Sequence, residues 1–328
     1  MTILANNALP LTARLLEIQR MSTEDGPGLR TTIFFKGCSL KCRWCHNPES
    51  IAAHPQVMWV ENRCIGCGTC AEQCPEGALT LTGQGMVIDR QVCRNCSICA
   101  EACPTAALER MGKKWRMEDL LVEVLKDRAY FDASGGGVTL SGGEPALQVR
   151  FASAFLERLR EQGVHTALDT CGLYEVGILE QLMPVTDLLL YDLKLMEPMR
   201  HHKLTGHDNE RILDNAIAAA RHLRHRADGR RMWIRTPIIP GATDGQENII
   251  GIGRFIATRL EGMVSRWELC VFNNLCADKY RRLGLAWPYA DYPLPTAHRM
   301  ENLADMARAS GVDADIVCWS GATAVKGA

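Results

Sequence analysis

Eleven of the chain's 15 cysteines lie between Cys38 and Cys103, at short fixed spacings. In a reducing compartment such clustering suits metal or cluster ligation rather than disulfides. Cys38, Cys42 and Cys45 form a C-x3-C-x2-C loop within KGCSLKCRWCHNP. Thiolates are soft ligands that select iron–sulfur clusters, zinc or copper(I). A four-iron cluster normally takes four cysteines, so three leave one iron open, as a substrate-binding cluster requires. The competing reading is a structural zinc ion that borrows His46 or His54 as its fourth ligand.

The other eight cysteines belong to an internal repeat, CIGCGTCAEQCP at Cys64 and CRNCSICAEACP at Cys93. Each copy follows C-x2-C-x2-C-x3-C-P, the bacterial ferredoxin run, in which the fourth cysteine serves the other cluster. Cys64, Cys67, Cys70 and Cys103 are therefore expected on one cluster, and Cys93, Cys96, Cys99 and Cys74 on the other. Three closely spaced thiolates wrap one cube, while the proline turns the fourth away. A pair of structural zinc sites is the competing reading. The pair suits an electron wire to the first cluster, but also a structural role or partner docking.

Ser134–Pro145 reads SGGGVTLSGGEP, a strand ending in glycines and an acid. Residues without side chains let a ligand approach the backbone, leaving amide groups to bind it. Two later apolar runs end in Asp169-Thr170-Cys171-Gly172 and Tyr191-Asp192-Leu193-Lys194. In a β/α barrel, strand C-termini converge on one mouth, so these acids and the lysine would face the same ligand. The competing reading is a surface Asp–Lys ion pair of little consequence.

The elements that position these groups follow from periodicity. Short β-type runs are predicted at Thr31–Phe35, Val138–Leu140, His165–Leu168, Leu188–Leu190, Met232–Arg235, Leu269–Phe272 and Asp315–Cys318. Helical spacing falls at Leu120–Leu125, Phe151–Arg160, Ile212–Arg224, Ile249–Leu260 and Ala297–Ala309. Strands alternating with helices imply a parallel sheet. The chain is thus expected to be α/β, a partial six-stranded (β/α) barrel before a last strand, with an inserted bacterial-ferredoxin-like domain. The expected divisions are residues 1–50 (first strand and cysteine loop), 51–112 (insert) and 113–328 (the remaining barrel).

The chain has 328 residues, 47% hydrophobic and 23% charged, with a formal net charge of −1. That balance gives no bulk field toward nucleic acid or anionic lipid. No apolar run is long enough to span a bilayer, and the first residues lack a signal peptide's charged start and apolar centre. A cytoplasmic protein is expected.

With Trp44 before its third cysteine, the first loop resembles that of the radical S-adenosylmethionine superfamily, and SGGEP resembles its methionine-binding element. More narrowly, the chain resembles glycyl radical enzyme activating enzymes. The match extends over DGPGLR (25–30), KGCSLKCRWCHNPES, SGGGVTLSGGEP, DTCG, YDLK and Trp233-Ile234-Arg235. The insert resembles that of the larger subgroup typified by activases of glycerol dehydratase, choline lyase and arylacetate decarboxylase. The resemblance implies three 4Fe-4S clusters and S-adenosylmethionine as cofactors, with Cys38, Cys42, Cys45 and Lys194 as catalytic residues. It implies cofactor contacts from Trp44, Cys45, His46, Gly142, Gly143, Glu144, Asp169, Asp192, Leu193, Lys194 and Asn274, and a monovalent cation near Asp169 and Asp192. The implied partners are a glycyl radical enzyme, as protein substrate, and a flavodoxin or ferredoxin-type electron donor. The implied reaction is reductive cleavage of S-adenosylmethionine, followed by removal of a hydrogen from a glycine Cα. The alternative is the same chemistry on a small molecule; a plain electron carrier is disfavoured by the barrel. Two positions depart from the pattern: Cys171 stands where Asn is usual, and Asn274 where a cofactor-contacting His is expected. Asn hydrogen-bonds but carries no charge near neutral pH.

Cys171, Cys270, Cys276 and Cys318 have no partner at ligand spacing and are expected to be small buried hydrophobes. His201-His202 is expected at the surface. The basic stretch from Arg221 to Arg231 is expected to be a solvated helix end, or else a docking patch for an acidic surface.

Overall fold

The computed structural model describes residues 10–225, 231–260 and 262–324. The chain opens with β1 (Thr12–Ser22) and β2 (Arg30–Phe35), an antiparallel pair. After the first cysteine loop comes the insert, with β3 (Gln56–Trp59), β4 (Leu79–Thr82), β5 (Gly85–Ile88) and β6 (Leu108–Met111). β3 pairs with β6 across the insert's neck, and β4 with β5 as a hairpin. β7 (Lys113–Arg116) returns to the main sheet against β1. Then follow β8 (Gly137–Gly142), β9 (His165–Thr170), β10 (Leu188–Asp192), β11 (Met232–Ile238), β12 (Val264–Val271) and β13 (Val317–Ser320).

The main sheet has the order β13-β12-β11-β10-β9-β8-β2-β1-β7. From β2 to β13 all pairings are parallel. Each new parallel strand lies beside the previous one, as in a barrel that stops before closing, with β7 and β13 as its two edges. The six expected strands and the last one are all present. The antiparallel pair β1 and β7 was not expected, because TARLLEIQRMS has no clean alternation. The last strand begins at Val317 rather than Asp315, since residues Ala314–Ile316 form a 3-10 turn held by Asp313.

Helices cover one face of the sheet. Val149–Glu161 buries Phe151, Ala152, Phe155, Leu156 and Leu159, a stripe at helical spacing. The other face lines the barrel interior and is layered. Ala167, Leu188 and Leu190, with Trp233 packed on them, form an apolar floor. Above it, nearer the strand C-termini, come the charged side chains described next.

Candidate active site

Because the seven parallel strands point the same way, their C-terminal ends meet at one mouth. A cavity of about 420 Å³ opens there, lined by residues following each of these strands. Such a volume suits a cofactor-sized ligand. Cys38, Cys42 and Cys45 come from the loop after β2, Gly142 and Gly143 from the end of β8, and Asp169 from β9. Asp192 and Lys194 come from β10, Arg235 from β11, Cys270 and Asn273 from β12 and its following loop. Trp44 and His46 also line the cavity.

The cysteine loop is fixed from several sides. The amides of Lys41 and Arg43 donate to the carbonyls of Thr205 (2.7 Å) and Leu204 (3.0 Å), at the end of helix Pro198–Thr205. The Tyr280 hydroxyl donates to the Cys45 carbonyl at 3.0 Å. Lys279 donates to Asn47 at 2.7 Å and pairs with buried Glu49 at 2.7 Å. Burial pushes the Cys42 thiol up to about 11 and the Cys45 thiol up to about 12. Protein charges alone therefore leave both protonated near neutral pH, and a coordinated metal is what would deprotonate them.

Glycines at the end of β8 are required by the fold itself. A Cβ on Gly143 would lie 2.1 Å from the Gly37 carbonyl oxygen, and one on Gly142 2.5 Å from the Phe35 amide. The expectation that nearby amides are left for a ligand is corrected: Gly143 donates to Phe35 O at 2.9 Å and Glu144 to Gly37 O at 2.7 Å. The Glu144 side chain does not line the mouth either. It is fully buried, where it accepts from Thr170 Oγ1 and the Cys171 amide, each at 2.9 Å, and from the Ala146 amide at 3.1 Å. Burial raises its carboxyl well above the usual range.

An ionic layer spans the barrel beneath the mouth. Arg235 lies 3.7 Å from Asp25, 3.7 Å from Asp169 and 3.6 Å from Glu268. Ser141 donates to Asp169 at 2.6 Å, and Lys194 pairs with Asp192 at 2.5 Å. Burial, opposed by Arg235 and reinforced by Asp192, lifts the Asp169 carboxyl to about 6. Burial alone would lower Lys194, but Asp192 and the Cys42 thiol outweigh it and hold the ammonium above its ordinary value. The Asp–Lys pair is thus a buried part of the site, not a surface one.

The donor set fits a cluster with an open iron. Three thiols come from one loop, and two polar atoms beside them, His46 Nε2 and Asp169 Oδ1, are buried without a protein partner. In the insert, Cys64, Cys67, Cys70 and Cys103 line one shared cavity. Burial lifts the Cys99 thiol to about 11, and Cys93, Cys74 and Cys96 lie near enough to act on it. Equivalent amides serve the fourth cysteine of each copy: Ala78 donates to Cys74 Sγ at 3.3 Å and Ala107 to Cys103 Sγ at 3.2 Å.

Not every expected residue reaches the mouth. Asn273 lines the cavity where Asn274 was expected to, and Leu193 is packed in the core. Arg235, Glu268 and Asn273 were not picked out from the residues alone. The available signal was a charge, Arg235 or Glu268, within each of two mainly apolar strands, MWIRTPI and VSRWELCV, the second of which also carries Arg266. His201 is a correction: it is 1% exposed, its Nδ1 lying 2.5 Å from the His207 carbonyl and 3.0 Å from Thr205 Oγ1. Cys171 and Cys276 are buried as expected, while Cys270 is partly exposed on the cavity wall. Residues 226–230 of the basic stretch lie outside the described residues.

Three thiols at the mouth of an open parallel barrel define a cluster-bearing α/β enzyme, and comparison with known proteins gives its family. The family described as a 4Fe-4S single cluster domain matches residues 24–212. The (2S)-3-sulfopropanediol dehydratase activating enzyme of Klebsiella oxytoca is 39% identical over 84% of this chain and 86% of its own length. The (2S)-3-sulfopropanediol sulfolyase activating enzyme of Bilophila wadsworthia is 40% identical over 83% and 89%. The indoleacetate decarboxylase activating enzyme of Tractidigestivibacter scatoligenes is 36% identical over 92% and 96%. The chain belongs to the glycyl radical enzyme activating enzymes. A 4Fe-4S cluster is its cofactor. No helix among the described residues is long and apolar enough to cross a membrane.

Proposed function

We propose that this chain carries three 4Fe-4S clusters, cleaves S-adenosylmethionine reductively and takes a hydrogen from one glycine Cα of a partner glycyl radical enzyme. The observation that carries this reading is the single mouth where Cys38, Cys42 and Cys45 meet Gly142, Asp169, Asp192 and Lys194. When bound, the reduced cluster supplies the electron that splits the sulfonium into methionine and a 5′-deoxyadenosyl radical.

The chain's own residues bind and orient. Cys38, Cys42 and Cys45 hold the cluster, and Lys194 offers its cation to the cofactor carboxylate. Trp44 and Phe272 give the mouth an apolar wall that excludes water. Asp169 Oδ1, buried without a protein partner, and Asp192 are the ligands we assign to a monovalent cation. The insert, with Cys64, Cys67, Cys70 and Cys103 on one cluster and Cys93, Cys96, Cys99 and Cys74 on the other, passes electrons inward from a flavodoxin or ferredoxin-type donor. Because the sheet does not close, a glycine-bearing loop has a flank by which to enter. Relatives of nearly equal identity activate a dehydratase in one case and a sulfolyase in another.

The test is anaerobic reconstitution with iron counting, reduction, and incubation with S-adenosylmethionine and candidate glycyl radical enzymes. Roughly 12 irons per chain, 5′-deoxyadenosine release and a glycyl signal in electron paramagnetic resonance are expected. Reduced, fully loaded protein that leaves S-adenosylmethionine intact refutes the reading.

A further inference from the structure

The mouth cavity continues past the groups already described to the open flank of the sheet. Its lining includes Glu24, in the turn between β1 and β2, and Ser320 and Gly321, at the end of the edge strand β13. On the other side of the gap, β7 pairs with Thr12–Leu15 of β1, so from Leu16 to the turn β1 is itself the edge. Glu24 and Ser320–Gly321 thus meet the cavity from the two ends of the broken ring. Glu24 is exposed, and among the described residues its carboxylate meets no cation, only a 3.5 Å contact from the adjacent Thr23 hydroxyl. The cations that line the cavity are already engaged, Lys194 with Asp192 and Arg235 with Asp25, Asp169 and Glu268. The wall formed by Ser320 and Gly321 is small. Gly321 holds φ 109°, and a Cβ there would come 3.0 Å from that of Val271, so no side chain narrows the slot at this point.

We propose that the partner's glycine loop enters between Glu24 and Ser320–Gly321, and that Glu24 is a specificity-determining residue whose carboxylate takes a cationic side chain close to the glycine. The inference rests on the functional reading above and adds to it an entry point and a charge. A glycine whose Cα must reach the mouth brings its neighbours' backbone with it, and a wall of serine and glycine lets backbone approach closely. The facing wall carries an uncompensated carboxylate in a concave site, where the field of a charge is focused rather than spread over a flat surface. A lysine or arginine in the entering segment gains that interaction, while an acid at the same place meets like charge. The far side of the mouth offers neither feature. There Trp44, Phe272, Trp287 and Tyr289 pack together as a buried aromatic cluster.

The test uses the anaerobically loaded holoenzyme with S-adenosylmethionine and short, blocked, fluorescently labelled alanine peptides that have a central glycine. Each flanking position in turn carries arginine, glutamine or glutamate, and binding is read by fluorescence anisotropy. At one or more positions the parent is expected to bind the arginine peptide about fivefold more tightly than the glutamine peptide, and the glutamate peptide more weakly still. In Glu24→Gln the arginine and glutamine peptides are expected to bind within about twofold of each other. In Glu24→Arg the order is expected to invert in favour of glutamate, a reversal that a structural role for Glu24 does not produce. If Glu24→Arg does not fold, Glu24→Lys carries the same expectation. Two results overturn the proposal: an arginine preference that survives intact in Glu24→Gln, or a parent that binds all the peptides alike or none of them. A reduced parent that shows the expected preference but releases no 5′-deoxyadenosine from S-adenosylmethionine would instead remove the functional reading.

Discussion

Replacing Arg235 by methionine removes the cation that lies 3.6–3.7 Å from each of Asp25, Asp169 and Glu268, of which Glu268 keeps a second partner in Arg266 at 2.9 Å. At an effective dielectric near 20, one unit pair at that distance is worth about 4.5 kcal/mol. Much of this is offset by desolvating a side chain that is 18% exposed. Removing one partner of a buried pair costs about 3–5 kcal/mol, because the opposing charge stays behind. Arg235→Met should therefore lower stability by about 4 kcal/mol at pH 8. The loss should also depend on pH, with a sign fixed by Asp169. Burial already lifts its folded value to about 6, above its usual one, while Arg235 pulls it down. A carboxyl raised on folding contributes stability at low pH that is lost as pH rises through the folded value. Without Arg235 that value rises further, so the native variant holds an extra proton over a window reaching above pH 6. Within the window the gap to the parent should shrink by about 1.4 kcal/mol per unit of falling pH. Urea unfolding followed by tryptophan fluorescence at pH 8, 7 and 6 measures it. A gap that stays constant with pH, or one below about 1 kcal/mol, refutes the idea that Arg235 compensates buried carboxylates.

Glu144→Gln should cost about 1–3 kcal/mol, because the two carboxyl oxygens accept the Ala146 and Cys171 amides and a glutamine nitrogen can accept neither. Glu144→Ala should cost about 3 kcal/mol by stranding the Cys171 and Ala146 amides and the Thr170 hydroxyl; thermal melts of the pair check this. Asn273→Ala should weaken S-adenosylmethionine binding about tenfold while Asn274→Ala leaves it unchanged, as equilibrium dialysis would report. Equal effects would return the contact to the position first expected. Ala106 holds φ 53°, where the first copy of the repeat has Gly77 at φ 59°. Ala106→Gly should stabilise the insert by about 1 kcal/mol, read as slower release of insert iron to a chelator.

Much of this architecture could be read in the amino acids, for physical reasons that differ by element. The parallel strands are short apolar runs bounded by glycine and acid, so they announce both their existence and their C-terminal ends. The helices announce themselves through stripes such as Phe151, Phe155 and Leu159. β1 was hidden because only Ala13 and Leu15 are buried on its inner half, while from Leu16 to Met21 every residue is at least partly exposed. Spacing gathered the cysteines, because loop ligands close in sequence must be close in space. It could not reveal the ionic layer. Asp25, Asp169, Arg235 and Glu268 come from points more than 240 residues apart at the extremes, and only strand order brings them together. For the same reason Glu144 read as a cofactor contact. Its neighbour Gly143 does line the mouth, but one residue later the side chain points beneath the site into the bonds of Thr170 and Cys171.

The placement of the ionic layer bears on how an open barrel can carry a rigid site. A closed barrel is braced by its own hydrogen bonds all the way round, whereas here β7 and β13 leave the ring broken. Arg235 reaches Asp25 before β2, Asp169 on β9 and Glu268 on β12, so a single side chain braces strands across the gap's curvature. Above that brace, the cysteine loop is held by helix Pro198–Thr205 on one side and by Lys279 and Tyr280 on another. The helix that carries those two residues, Ala277–Arg282, also touches the insert, through Arg281 and Glu61 at 3.3 Å. One short helix thus touches both the cysteine loop and the insert. On the proposed electron path from the insert, that helix is a contact between the two units, and it lies apart from the flank left free by the broken ring.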